Sequence, residues 1–241
     1  LISRLCDDPA VPTAAIIGSA DPSVPLPAWV SQNAHVRAIR WGIHFQPAGT
    51  CLKPEFIAGV KALGEMGKAF EVCIRPAELA DAATLAAAVP GTTIVIDHCG
   101  NADPSVVAGD DPGQPPVPQP QTEDSTYHTW HTKDGWEAAM RAIAALPNTV
   151  CKLSGIMSRL KPASSPADSL GPTINFCMDV FGEDRCMFGG DWPLVTLGAD
   201  GTTTYALWVK TLQAVLSARS VTPETQHKIF SLNAKRVYGL E

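Results

Sequence analysis

Along this chain, hydrophobic runs repeatedly break off at a charged or polar residue, and the stretches between them carry apolar residues at helical spacing. Six short runs, rich in β-branched and aromatic residues and bounded by turn signals, predict strands at 14–18, 36–42, 69–75, 93–99, 149–154 and 186–191. Between them, Phe56, Ile57, Val60, Leu63 and Met66 mark a helix over 53–67 with Pro54 in its first turn. Similar patterns over 76–89, 134–145, 169–181, 203–218 and 222–237 predict further helices. Strand alternating with helix implies a parallel sheet. A length of 241 residues fits one α/β domain spanning 1–241, of the size of a TIM-like (β/α)8 barrel.

Alternation within the strands says which side chains share a face. Glu71, Cys73 and Arg75 lie on one side of their strand and Phe70, Val72 and Ile74 on the other. The apolar side is expected to pack on helices and the polar side to line an interior, as Met187, Gly189 and Asp191 do on the last strand.

The ends of these runs carry the candidate chemistry. Met187-Phe188-Gly189-Gly190-Asp191-Trp192-Pro193 places a carboxylate after an apolar run and two glycines. The carboxyl ends of barrel strands are where catalytic groups gather. Ile94 to Gly100 ends in His98, Phe70 to Pro76 in Arg75, Thr149 to Gly155 in Lys152 and Ser154, and Val36 to Arg40 in a second arginine. Such a set suits hydrolysis: Asp191 takes a proton from water, His98 helps polarise a carbonyl, and the cations hold an acidic substrate. The same residues also admit structural readings. Asp191 could be a turn or N-cap residue, Arg40 and Arg75 could pair with Glu71, Lys152 could be an ion-pair partner, and His98 could be a satisfied buried histidine. A serine hydrolase is disfavoured, because Ser154 lacks the first glycine of a nucleophile elbow. No phosphate-binding glycine loop follows a strand. His128 and His131 read as loop residues rather than as a metal pair.

Composition narrows the partners. A net charge of -6 with no basic run excludes an electrostatic footprint for nucleic acid or an anionic membrane surface. No apolar stretch approaches the roughly 18 to 20 residues that span a bilayer. The seven cysteines contain no C-x-x-C pair and are odd in number, so they read as small buried hydrophobes in a reducing, cytoplasmic setting. The stretch from about 101 to 133 breaks the rhythm with six prolines and reads as an insertion, either a lid over the pocket tipped by Tyr127-His128-Thr129-Trp130-His131 or a mobile insertion without function.

Taken together, several of these segments resemble the amidohydrolase-related family (amidohydrolase 2). The matching pieces are Val36-Arg37-Ala38-Ile39-Arg40, Ile74 to Leu79, Ile96-Asp97-His98-Cys99-Gly100, Leu146 to Gly155, Phe188 to Pro193 and Asn233 to Leu240, in the family's order. Within the family the chain is most similar to the lactonase branch, which opens 2-pyrone-4,6-dicarboxylate and sugar-acid lactones. The resemblance implies a (β/α)8 barrel with Asp191 as general base and His98 beside it. It implies Arg40, Arg75, Lys152, His44 and Trp192 as contacts to an anionic small-molecule substrate. Some members use a divalent metal such as zinc, for which His98 and Asp191 are the ligands this chain retains, and members of the lactonase branch often use none. A metal-dependent decarboxylase and a non-catalytic remnant are the alternatives. Family members open with a His-x-His strand, whereas Leu1 aligns with the helix after their second strand. About six of eight strands are therefore expected, and a second copy, as in a homo-oligomer, or an upstream segment is expected to complete the wall.

Overall fold

The computed structural model describes residues 6–8, 10, 13–113, 131–160, 165–197 and 203–240. Its sheet contains β1 (Ile16–Ser19), β2 (Val36–Gly42), β3 (Ala69–Cys73), β4 (Ile94–Ile96), β5 (Thr149–Leu153) and β6 (Cys186–Phe188). Neighbours in sequence are neighbours in the sheet, from β1 through β6, and each pair is parallel. All six expected strands are present, in the consecutive order of a partial TIM-like barrel. Three end earlier than the alternation suggests, because the chain turns sharply after Cys73, Ile96 and Phe188.

The connections are helical, as parallel pairing requires. The principal helices are α1 (Pro54–Glu65), α2 (Leu79–Ala88), α3 (Lys133–Ala144), α4 (Pro166–Phe181), α5 (Tyr205–Ala218) and α6 (Asn233–Tyr238). Pro54 and Pro166 occupy first-turn positions, where a missing N–H costs nothing. Thr132 and Thr204 accept from the backbone of Gly135 and Leu207 and so cap α3 and α5. The helix expected over 222–237 is divided: Pro223–His227 is α-helical, Lys228–Leu232 is a π-helical turn, and α6 follows. Within the proline-rich stretch, Pro104–Ala108 forms a short helix, and His131 is buried with its Nε2 accepting from the Asp103 backbone N–H. His131 is thus a structural anchor rather than a lid tip; residues 114–130 lie outside those described.

Two apolar layers result. Between sheet and helices lie Ile39, Phe56, Phe70, Ile94, Ile96, Trp136 and Trp208, all fully buried. Phe56 and Phe70 meet edge to face at 5.7 Å, a geometry worth about 0.5–1.5 kcal/mol beyond burial. Inside the curve of the sheet, Ala38, Ala69, Val95, Val150 and Met187 form a smaller cluster with Tyr238 of α6. Two residues further along their strands, the inward positions become Arg40, Glu71, Asp97 and Lys152. The period of two therefore stacks an apolar floor beneath a charged layer, and the charged layer beneath the strand ends.

Candidate active site

The charged layer is a closed set of ion pairs. Lys152 Nζ lies 2.7 Å from Glu71 and 3.0 Å from Asp97, and Arg40 Nε lies 3.2 Å from the other Asp97 oxygen. Asp97 is fully buried and meets both cations at ion-pair distance without hydrogen-bond alignment. Burial alone would raise its carboxyl, but the charges of Lys152 and Arg40 outweigh that and hold it below the usual range. Burial and the nearby Asp97 push Glu71 up, against the pull of Lys152, and the Tyr238 hydroxyl donates to it. Gly189 is required here, since a Cβ would stand 2.9 Å from the Lys152 side chain and from Ser154 Cβ.

Above this layer the chain adopts unusual backbone at both candidate reactive residues. His98, Cys99, Gly100 and Asn101 all have positive φ and form one left-handed helical turn. Such a conformation costs about 1–2 kcal/mol for each residue other than glycine, so partners must hold it. Trp136 Nε1 donates to the Cys99 carbonyl at 3.0 Å, Asn101 Nδ2 donates to the Ile74 carbonyl at 2.7 Å, and the Arg159 guanidinium donates to the Asn101 and Ala102 carbonyls. Asp191 also sits at positive φ, 49°. Strain of this kind concentrates at functional sites.

The turn aims His98 into a cavity of about 450 Å³ at the strand ends, which Asp191 and Arg40 also line. His98 Nε2 lies 3.8 Å from Asp191 Oδ1. Arg40 Nη2 donates to the same Nε2 at 3.1 Å. A guanidinium only donates, so Nε2 accepts and the ring proton, assigned from these partners, sits on Nδ1 facing Ser154 Oγ at 2.8 Å. Gly155, at φ +68°, lets the ring in: a Cβ there would come within 2.4 Å of it. Burial raises the Asp191 carboxyl above the ordinary aspartate value of 3.8, although Arg40 and Arg159 pull the other way. A carboxylate made more basic than an ordinary aspartate suits proton abstraction.

The expected substrate contacts divide. Arg40 and His44 line the cavity, and His44 Nδ1 is 3.0 Å from the Cys73 carbonyl. Arg75 does not: it donates to the His44 and Gln46 carbonyls at 2.6 and 2.8 Å and pairs with Glu78 at 2.6 Å, so its partner is Glu78 rather than Glu71. Lys152 is spent on Glu71 and Asp97 beneath the pocket. Trp192 is 74% exposed and lies beyond the cavity wall, whose rim is formed by Phe45, Leu194 and Leu197. Cys73, on the inward face of its strand, lines the pocket, and so does Arg159, which the strand pattern did not single out. Arg159 follows β5 in a strand-end loop, a position that could have marked it. Arg40 Nη2 donates to Cys73 Sγ at 3.2 Å. Burial would raise that thiol, but the Arg40 charge beside it helps to leave it lowered.

The ligand set for a metal can be tested on this geometry. Ligand atoms of Cys73, Asp97 and His98 lie within 4.8 Å of one another. The Arg40 guanidinium touches all three, so a positive group already fills the centre of that set. His98 and Asp191 alone fall short of the three protein ligands that catalytic zinc normally takes. The described residues of this pocket do not by themselves make a zinc site.

A parallel β/α half-closed barrel with acid, imidazole and guanidinium converging at its strand ends defines an enzyme-type site. Residues 30–240 match the amidohydrolase family, and the chain belongs to it. It is 27% identical over 168 residues to an L-fucono-1,5-lactonase of Burkholderia multivorans, covering 68% of this chain and 50% of that protein. Over 173 residues it is 27% identical to the L-fucono-1,5-lactonase of Burkholderia ambifaria, covering 72% and 50%. The chain thus spans about half the length of the curated relatives it matches. Among solved structures, an amidohydrolase from Burkholderia multivorans with bound zinc superposes with a TM-score of 0.76 at 23% identity, covering all of this chain and 78% of that one. That likeness speaks for the fold. No helix among the described residues is long and apolar enough to cross a membrane.

Proposed function

We propose that this chain carries the hydrolytic site of a lactonase, opening a cyclic ester of a carboxylate- or sugar-acid-type substrate with Asp191 as general base. One observation carries the reading: Asp191 and His98 lie 3.8 Å apart in one cavity, with the Arg40 guanidinium hydrogen-bonded to the imidazole. Water placed against Asp191 loses a proton to the carboxylate as its oxygen attacks the ring carbonyl. The Arg40 guanidinium faces the negative charge that develops on the carbonyl oxygen, a contribution preorganised by Asp97. When the ring C–O bond breaks, the proton held by Asp191 passes to the leaving alkoxide, and the product is a hydroxy acid. His98, accepting at Nε2 and held at Nδ1 by Ser154, keeps Arg40 in place beside Asp191. Arg159 adds a second guanidinium on the cavity wall for a carboxylate on the substrate.

Similarity to L-fucono-1,5-lactonases supports the lactone class, and the two guanidinium groups support an anionic or hydroxyl-rich ring. The decarboxylase alternative needs a firmly held metal, which the position of Arg40 opposes. The cytoplasm fits the seven free cysteines as the site of action.

The test is acid release from a panel of sugar-acid and pyrone lactones, with Asp191→Asn as the comparison. The protein is expected to hydrolyse at least one lactone, and the variant to lose about 10²- to 10⁴-fold in turnover while still binding substrate. Unchanged turnover in the variant removes Asp191 as the base. A folded protein inactive on the whole panel favours the non-catalytic remnant.

A further inference from the structure

Cys99, Cys151 and Cys177 reach one point from three elements: the left-handed turn after β4, the outward side of β5, and α4. All three are fully buried, and none forms a disulfide. They belong to the layer between sheet and helices, and none lines the cavity that holds Asp191. Their sulfur atoms all lie within 4.8 Å of one another. Far apart in the chain, they lack the short C-x-x-C spacing by which a metal site is usually noticed.

We propose that Cys99, Cys151 and Cys177 form a three-sulfur site for a single soft divalent cation of the zinc and cadmium class. Thiolates select such ions over hard ones. Three sulfurs each about 2.3 Å from one ion stand roughly 4 Å apart, which suits the observed clustering. A disulfide could join only two of them and would leave the third thiol over. Charge fixes the protonation of the complex: two thiolates and one thiol around a divalent ion carry no net charge, the arrangement an apolar core tolerates. Binding therefore releases two protons for each ion taken up. Cys186 is equally buried, yet its Sγ–H donates to the Cys177 carbonyl at 3.6 Å, and it stands beside the site rather than in it. Because every sulfur is shielded from solvent, the ion is captured as the chain folds. The inference does not depend on the hydrolase reading.

The experiment refolds the 241-residue chain with cadmium chloride and a phosphine reductant. It follows sulfur-to-cadmium charge-transfer absorbance, proton release and the mass of the native complex. One cadmium ion per chain, two protons released and an upward shift in Tm are expected. Cys177→Ser should lose the absorbance, while Cys73→Ser, which alters the pocket, and Cys6→Ser should keep it. Far-UV circular dichroism checks that each variant folds, and Cys151→Ala serves if Cys177→Ser does not. Absence of the charge-transfer band from the refolded wild type overturns the proposal. So does its persistence in a folded variant of the three cysteines, or its loss in Cys73→Ser, which would move the ion to the pocket.

Discussion

Asp97 is the hinge of the buried charge layer, and Asp97→Asn perturbs it without changing its shape. The native carboxylate is fully buried between Lys152 at 3.0 Å and Arg40 at 3.2 Å. Replacing it with an amide leaves Lys152 with Glu71 alone and removes the anion that steadies Arg40. Removing one partner of a buried ion pair costs about 3–5 kcal/mol. The amide can still accept from either cation, so about 3 kcal/mol is the expected loss. In a domain of this length that corresponds to a fall in Tm of about 6–12 °C. Urea unfolding at neutral pH should show a lower midpoint with an unchanged m-value.

The sign with pH follows from the depressed native carboxyl. A group held below its unfolded value stabilises the fold above that value, near 3.8, and the benefit disappears as pH falls through the native value. The gap between wild type and Asp97→Asn should therefore persist from neutrality into mild acid and close only below the ordinary aspartate range. In a double-mutant cycle with Lys152→Met, a coupling of about 0.5–3 kcal/mol is expected. A loss under about 1 kcal/mol, or a gap that stays the same in strong acid, would refute the view of Asp97 as the keystone of the layer.

Other consequences can be checked separately. The acid limb of lactone hydrolysis should lie above pH 3.8, because burial raises Asp191, and rate should rise as that carboxyl ionises; a limb at or below 3.8 argues for a different base. Gly155→Ala forces a Cβ to within 2.4 Å of the His98 ring at φ +68°, so the fold should lose more than about 1 kcal/mol and turnover should fall; a neutral effect in both denaturation and activity assays contradicts the close approach. Tyr238→Phe removes the hydroxyl that donates to buried Glu71 and should cost about 1–3 kcal/mol in urea unfolding, with little effect on KM.

The alternation of strand residues made the interior legible in advance. It placed Glu71 and Cys73 on the inward face, and the structure puts the first in the charged layer and the second in the pocket wall. It misjudged Arg75 because Cys73 ends the strand: the chain then enters a turn, and Arg75 no longer obeys a period of two but reaches back to the His44 and Gln46 carbonyls. Lys152 reads in the sequence as either a substrate contact or an ion-pair partner, and the structure pairs it with Glu71 and Asp97. Its depth, one layer below the strand ends, depends on register against β4 and β6, which no single strand's sequence contains.

The sequence by itself determined the six strands, their parallel arrangement and the family, and it singled out His98 and Asp191, which meet in one cavity. Those features rest on local periodicity and on residues close together in the chain. Only the tertiary structure decided that Arg40 fills the space among Cys73, Asp97 and His98, that Arg159 joins the cavity, and that three distant cysteines meet in the core. Each of those outcomes depends on how far one element is shifted and turned against another, and a few ångströms of such displacement separate an ion pair from a substrate contact.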